Sequence, residues 1–322
     1  MNRTTFAASM LGALGAATVA SPLVARAEDA YPSRPITMIV PWGPGGGSDQ
    51  VGRAVAKNLQ DVLKGTSIPV INVPGADGND GMVRLIGGDA DGYTIVILIA
   101  DTFVGNITAK TPPAWHLSDI TPLAMMNTMP FAYYLSKDSP YKDWASFEKA
   151  AKTTQMRVAI TGYGSAEDIG TKYFASKGGL KLTPVAFAKP GERYAAVLGN
   201  QVEAMCDPIG NVSHYVEAGQ MKPICVWAEK RLGVVPYCPT AHEVGYKVVL
   251  EEWRTIAVKA GTDPKAVAFL DRALAAAYKT SDFQAFLKSS WSNPDSYVSS
   301  KDLPAFFAAR KRDVDALIAA TH

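Results

Sequence analysis

Apolar positions along the chain fall into short blocks divided by glycine-rich breaks. Residues 36–40 are an apolar, β-branched run of strand length. Residues 41–47 interrupt it with prolines and four glycines. Ser48 or Asp49 then offers an N-cap, and Val51, Ala54, Val55 and Leu59 recur at helical spacing. The pattern predicts a strand, a glycine loop and a helix. It repeats at residues 70–73, where a short strand leads into a Gly- and Asx-rich loop over 74–81. Met82, Leu85 and Ile86 then mark a helix that Gly87 and Gly88 end. A third strand over 93–100 follows the Asp91-Gly92 turn. The alternation is that of a parallel, doubly wound α/β sheet, whose ligands bind where these loops leave the strand ends.

Residues 108–122 read as a connection, and 123–135 as a strand crossing into a second lobe. A helix over 146–152 and a strand over 157–161 lead to a third glycine loop, residues 162–170. There Ser165 is placed to cap a helix over 168–177. Strands at 183–187 and 202–206 flank a helix over 192–198, and further strands are predicted at 221–227 and 252–259. Helices opening at Asp263-Pro264 and Asp282-Phe283, and one over 303–318, complete the chain. Two lobes carrying the same device face a common cleft, an arrangement suited to hinge closure.

A glycine loop at a helix start presents backbone N–H groups to an anion and lets it come close. The dinucleotide fingerprint is incomplete, because Gly43 and Gly45 are followed by Ser48 where the third glycine belongs. No phosphate-binding G-x-x-x-x-G-K-[ST] is present. The loops therefore favour a carboxylate over a nucleotide, against the plainer reading of a tight turn.

Residues 1–27 have the form of a secretory signal: Arg3, a small apolar stretch over 6–20, and Ala25-Arg26-Ala27 as cleavage site. Cleavage after Ala27 leaves 295 of the 322 residues, with 30 basic and 30 acidic side chains. A balanced charge lacks the basic footprint of a nucleic-acid binder. The longest apolar run after the signal, 95–100, is far short of a membrane span. An exported, soluble, periplasmic and monomeric protein is expected. Cys206, Cys225 and Cys238 make no disulfide framework; one pair at most can bridge in an oxidising compartment, and buried free thiols are preferred because Cys206 and Cys225 sit in strand-like apolar runs.

Catalytic and metal signatures are missing. Residues 77–80 lack calcium-loop spacing, the four histidines are dispersed without H-E-x-x-H, and the serine of residues 162–166 is one place late for a nucleophile elbow. No catalytic residue, metal or cofactor is expected. An exported α/β hydrolase acting on a carboxylate ester stands as the alternative, since triads form in space.

Several segments together resemble the periplasmic receptors of tripartite tricarboxylate transporters, the Bug-type solute-binding proteins. These are YPSRPITMIVPWGPGGGSD at 31–49, NVPGADGN at 72–79, DGYT at 91–94, LGNQVE at 198–203, and PTAHEVG at 239–245 with Trp253 downstream. The resemblance implies a type II periplasmic binding protein fold, with lobe 1 over 28–122 plus 226–322 and lobe 2 over 123–225. It implies a receptor that delivers a small organic carboxylate to a two-component membrane permease. It places Trp42, Gly45, Gly46, Gly47 and Ser48, with Gly75, Ala76, Asp77, Gly78 and Asn79, around one ligand carboxylate. Thr161, Gly162, Tyr163, Gly164 and Ser165 then face the far end of the ligand, and Asp207 lines the cleft. AFAKPG at 186–191 departs from the family's Pro-Tyr-Lys-Gly-Gly-like run.

Arg193 is a candidate clamp for a second carboxylate, weighed evenly against solvated surface charge, which is the favoured reading for Lys189. Tyr163 can stack on an aromatic ligand, whereas Phe187 reads as packing. Trp42 either walls the cleft or packs its loop onto the sheet. A flexible di- or tricarboxylate and an aromatic carboxylate are both open.

Overall fold

The computed structural model describes residues 31–109, 114–248 and 250–321; the predicted signal segment and His322 lie outside them. The first strand–loop–helix units are β1 (Thr37–Val40), α1 (Gly47–Val62), β2 (Val70–Asn72), a 3₁₀ turn (Ala76–Gly78), α2 (Asn79–Ile86) and β3 (Thr94–Ile99). α3 (Ala100–Thr108) follows directly where the sequence pattern indicates only the end of a strand. A second 3₁₀ turn (Leu117–Asp119) leads into β4 (Ile120–Ser136) and α4 (Trp144–Ala151). Next come β5 (Met156–Ile160), α5 (Ala166–Gly178), β6 (Leu182–Ala186), α6 (Pro190–Leu198), β7 (Ala204–Pro208), α7 (Ser213–Glu217) and β8 (Met221–Val226). The chain ends with β9 (Glu251–Lys259), α8 (Pro264–Tyr278), α9 (Ser281–Ser289), β10 (Val298–Ser299) and α10 (Leu303–Ala319).

These strands join one mixed sheet in the order β2-β1-β3-β9-β4-β7-β5-β6, with β8 and β10 also paired to β4. Pairing is parallel at both ends, β2-β1-β3 and β7-β5-β6, as the alternating pattern predicts. The centre is antiparallel: β9 pairs with β3 and β4, and β4 with β7 and β8. β4 spans 17 residues and threads both halves of the sheet, pairing with β9 through Pro130 and with β7 from Phe131 onward. It has two register shifts against β9, near Pro122 and Met125, where bulges bend the strand.

Side chains on both faces are buried. Tyr133, Trp144, Phe174, Trp227 and Tyr246 form a continuous aromatic cluster, with Phe174 and Tyr246 stacked at 4.3 Å between centroids. Phe103, Trp253 and Phe307 form another. Cys206 and Cys225 both stand opposite Tyr133, on opposite edges of β4. Two strand spacings, about 9–10 Å, separate them, beyond the roughly 7 Å limit for a disulfide. All three cysteines are buried free thiols, the state preferred for Cys206 and Cys225 from their apolar runs.

Candidate functional site

Two loops, one from each parallel end of the sheet, repeat one device. In the first, Gly45 has φ +81° and its N–H donates to Asp49 Oδ2 at 3.0 Å. In the second, Gly164 has φ +83° and its N–H donates to Asp168 Oδ2 at 2.8 Å. A left-handed backbone of this kind favours glycine at both places. Each aspartate also pairs with a cation one turn further on: Asp49 with Arg53 at 3.0 Å, and Asp168 with Lys172 at 2.6 Å. Burial alone would raise the Asp49 pKa, but the hydrogen bonds from Arg53, Gly45 and Asn72 hold it below its ordinary value.

The two helix starts differ. Ser165 caps α5 by accepting the Asp168 N–H at 3.2 Å, as the sequence predicts. Neither Ser48 nor Asp49 caps α1. That helix begins at Gly47 with Gly46 as N-cap and no side-chain cap, because Asp49 sits inside the first turn and reaches back to Gly45. The first turn of α1 is thus the uncapped positive end of the pair.

Between these loops lies a cavity of about 30 Å3. Of the residues assigned by sequence, Trp42, Gly46, Gly47, Ser48, Thr161 and Arg193 line it. Trp42 also packs its loop, donating through Nε1 to Thr102 Oγ1 at 3.2 Å. Asp207 stands one bond behind the wall and accepts Arg193 Nε and Nη2 on Oδ2, at 2.9 and 2.7 Å. Arg193 is only 4 % exposed, so the solvated reading does not describe it; Lys189 is exposed and pairs with Glu192. Burial works against the Arg193 charge, yet Asp207 and Glu167 outweigh it and raise its pKa.

Gly75, Ala76, Asp77, Gly78 and Asn79 abut this wall and do not line the cavity. A Cβ on Gly78 would stand 3.0 Å from Trp42 Nε1, and Asn79 Oδ1 accepts Trp115 Nε1 at 2.8 Å. Ala76 and Asp77 are left-handed without being glycine, a strained pair. The Asp77 carboxyl, its pKa raised by burial, meets the opposing loop at Gly162, where a Cβ would lie 2.5 Å from Oδ1. Tyr163 is 66 % exposed and outside the lining, as are Gly162, Gly164 and Ser165.

The remaining wall is built by charged and polar residues that sequence reasoning did not select: Asp101, Glu167, Asn211, Glu252 and Arg254. Asp101 opens α3 and accepts the Ala166 N–H of α5 at 3.1 Å. Glu167 is held by Thr161, through its N–H and through Oγ1 at 3.0 Å. Glu252 and Arg254 share one face of β9. Arg254 donates from Nη1 to Asn127 Oδ1 at 2.8 Å and from Nη2 to Asn211 Oδ1 at 3.1 Å, and its Nε is buried without a hydrogen bond. Asn211 in turn donates to Asp207 at 2.7 Å. Burial pushes the Asp101 carboxyl up to about 6, with the Ala166 N–H and Arg193 pulling against it, and raises Glu167 and Glu252 well above the usual carboxylate range.

Glycine loops and helix starts from both parallel ends of a mixed sheet, meeting over one polar cavity, define a periplasmic binding protein fold. The family model of the tripartite tricarboxylate transporter family receptors, TctC, matches residues 51–322. Protein BugT of Bordetella pertussis is 30% identical over 279 residues, covering 84% of each chain. A TctC solute-binding protein from Polaromonas, solved without ligand, is 30% identical, with TM-score 0.66 over 90% of this chain and 98% of its own. The periplasmic binding protein BugD shares the fold at TM-score 0.83 and 24% identity, over 90% and 98% of the two chains. The chain belongs to the TctC family of solute receptors. It is a binding protein and not an enzyme, which removes the ester-hydrolase alternative.

Proposed function

We propose that this receptor closes on a small aliphatic carboxylate and presents it to the two-component permease of a tripartite tricarboxylate transporter. In this reading residues 1–27 are removed on export, and lobes 28–122 plus 226–322 and 123–225 move about β4 and the return connection before β9.

The observation that carries the reading is Arg254. Both of its Nη atoms are committed to neutral amides, its Nε has no hydrogen-bond partner, and it lies against the uncapped start of α1: a Cβ on Gly47 would be 2.6 Å from Nη2. A guanidinium beside a positive helix end is a carboxylate site. The exposed Tyr163, which does not line the cavity, favours an aliphatic ligand over an aromatic one. Solved structures of similar fold hold such acids: MatC of Rhodopseudomonas palustris with bound malate, and an R. palustris protein with adipate.

A thermal-shift panel tests this. It contains aliphatic di- and tricarboxylates, aromatic carboxylates, the matching amides, esters and nucleotides. At about 100 times its dissociation constant a ligand stabilises by about 2.7 kcal/mol, a rise of about 4 °C for a chain of this length. An aliphatic acid is expected to shift the melt where its amide does not, and Arg254→Met to abolish the shift. Equal shifts by acid and amide, or shifts by nucleotides or esters alone, would overturn the reading.

A further inference from the structure

Buried charges at and behind the cavity wall do not balance. Four carboxyl groups, of Asp101, Glu167, Asp207 and Glu252, and two guanidinium groups, of Arg193 and Arg254, are each at most 5 % exposed. In the two-lobe reading above, each lobe brings two of these acids and one base. Asp101, Glu252 and Arg254 come from the first lobe, and Glu167, Asp207 and Arg193 from the second. Within each set one acid has its cation, since Arg193 pairs with Asp207 at 2.7 Å and Arg254 Nε stands 3.9 Å from Glu252 Oε1. Asp101 and Glu167 are left, one carboxyl from each side, with no ion pair among the described residues.

These two meet where α3 touches the start of α5. Asp101 accepts the N–H of Ala166, the residue before Glu167, at 3.1 Å, and Glu167 is tied back to Thr161. Facing them are Arg193 and Tyr194 of α6, Cys206 and Asp207 of β7, and Glu252 and Arg254 of β9. Burial raises the Tyr194 hydroxyl and the Cys206 thiol, so both stay neutral and supply no balancing charge. On the flanking turns Asp168 is answered by Lys172 and Asp49 by Arg53, while Asp77 packs against Gly162. Two neighbouring carboxyls in a water-poor site do not both stay ionised. Burial accordingly raises Asp101 to about 6 and Glu167 well above the usual carboxylate range, with Asp101 adding to the rise of Glu167.

We infer that the receptor takes up its acid together with a proton, which Asp101 and Glu167 hold between them when the two lobes close. This rests on the carboxylate and closure reading above and adds a second ligand to it. With the lobes apart, each carboxyl faces water and binds protons with ordinary carboxylate affinity. Closure joins two sets that each carry one excess negative charge, and the bound acid adds its own. Arg254, the guanidinium assigned to the acid, is then shared with Glu252. The proton comes from solvent, and no bond of the acid is made or broken. Because the closed form holds the proton more firmly than the open one, affinity is greatest at low pH. It falls as pH rises through the closed-state titration.

The test is titration calorimetry at about pH 7 in buffers of low and high ionisation enthalpy, PIPES, HEPES and Tris. The probes are malate, adipate and whichever acid of the thermal-shift panel raises the melt most. Carboxylic acids of this kind are ionised at that pH, so the slope of observed heat against buffer ionisation heat counts protons bound by the complex. About one proton per acid is expected, and Kd should rise by up to about tenfold per pH unit between about pH 6.5 and 7.5. Asp101→Asn, which keeps an acceptor for the Ala166 N–H, and Glu167→Gln each remove one of the two carboxyls. Either is expected to bring the slope near zero and to level the pH profile of Kd, a change that a merely structural role would not produce. Binding with no proton uptake, or with proton release, overturns the proton inference and leaves the carboxylate reading standing. Uptake undiminished in both variants also overturns it. Failure of every acid in the panel to bind overturns both readings. If neither variant folds, the wild-type buffer series decides by itself.

Discussion

Replacing Arg193 by methionine separates a residue that supports the wall from one that grips the ligand. In the structure three hydrogen bonds disappear with the guanidinium: Nε and Nη2 to Asp207 Oδ2, at 2.9 and 2.7 Å, and Nη1 to the Phe187 carbonyl at 3.1 Å. Asp207 is fully buried and would keep only the Asn211 amide at 2.7 Å. Removing one member of a buried ion pair costs about 3–5 kcal/mol, because the other charge is left in a medium that solvates it poorly. The 295 residues after the predicted signal unfold with an entropy of about 0.6 kcal/mol/K, so Tm should fall by about 5–8 °C with no ligand present. The assay is urea unfolding and a thermal melt of the ligand-free protein, with Arg193→Met, Asp207→Asn and the double variant in one cycle. The neutral amide introduced by Asp207→Asn still accepts from Asn211, so the double variant should recover a large part of the loss, with a coupling of about 2–3 kcal/mol. A cost below about 1 kcal/mol for Arg193→Met, or simple additivity, would refute the argument. It would leave Arg193 as a group held in reserve for the ligand.

Further outcomes follow from the same geometry. A Cβ on Gly47 would lie 1.9 Å from Asn211 Oδ1, so Gly47→Ala displaces the amide that links Asp207 to Arg254; losing one such charge-assisted bond is worth about 1.5–3 kcal/mol, and calorimetry should show the best carboxylate bound about 10- to 150-fold more weakly. Gly46→Ala meets only Pro190 Cγ closely, at 2.9 Å, and should weaken binding less. Asp101 is raised from 3.8 to about 6 on folding, so between those pH values the folded state holds the proton more firmly than the unfolded one. Wild-type stability relative to Asp101→Asn should therefore fall as pH rises through that window, by on the order of 3 kcal/mol, and stay level above it; denaturant midpoints at pH 4, 5, 6 and 7 check the sign. Thiol titration should find the three buried cysteines unreactive until the chain is unfolded, and reductant should leave Tm unchanged.

The strand–loop–helix units are legible because each apolar run is short and ends at glycines or prolines, which leave few other readings. The centre of the sheet is not. β4 is buried at nearly every position, so it shows no alternation, and its prolines at 122 and 130, together with its bulges, break any period that remains. α3 escapes a sequence reading for a related reason: its residues continue an apolar strand without a glycine break, and the helix starts at Ala100 with no side-chain cap. The glycine loops of the site can be read for the same reason as the units that hold them. Asp101, Glu167, Asn211, Glu252 and Arg254 cannot, since each is a single polar residue in a different context and only the fold collects them. One local signal is present: Glu252 and Arg254 flank Trp253 in β9, where period two puts both charges on one face.

That distribution decides what each part of the site can do. The loops look like ready-made anion receptors, but part of their capacity is already answered from within the chain. Asp49 holds the Gly45 N–H, Asp168 holds the Gly164 N–H, and Glu167 holds the Thr161 N–H. Those internal carboxylates fix the loops in shape at the cost of donors a ligand would otherwise use. Arg53 and Lys172 answer the charge of Asp49 and Asp168 from the outer side, so neither aspartate biases the cavity strongly. Charge selection therefore passes to side chains standing on rigid strands and helix starts, above all the two on β9. A substitution there should change which ligand is bound, whereas one in the glycine loops should change how tightly any ligand is bound.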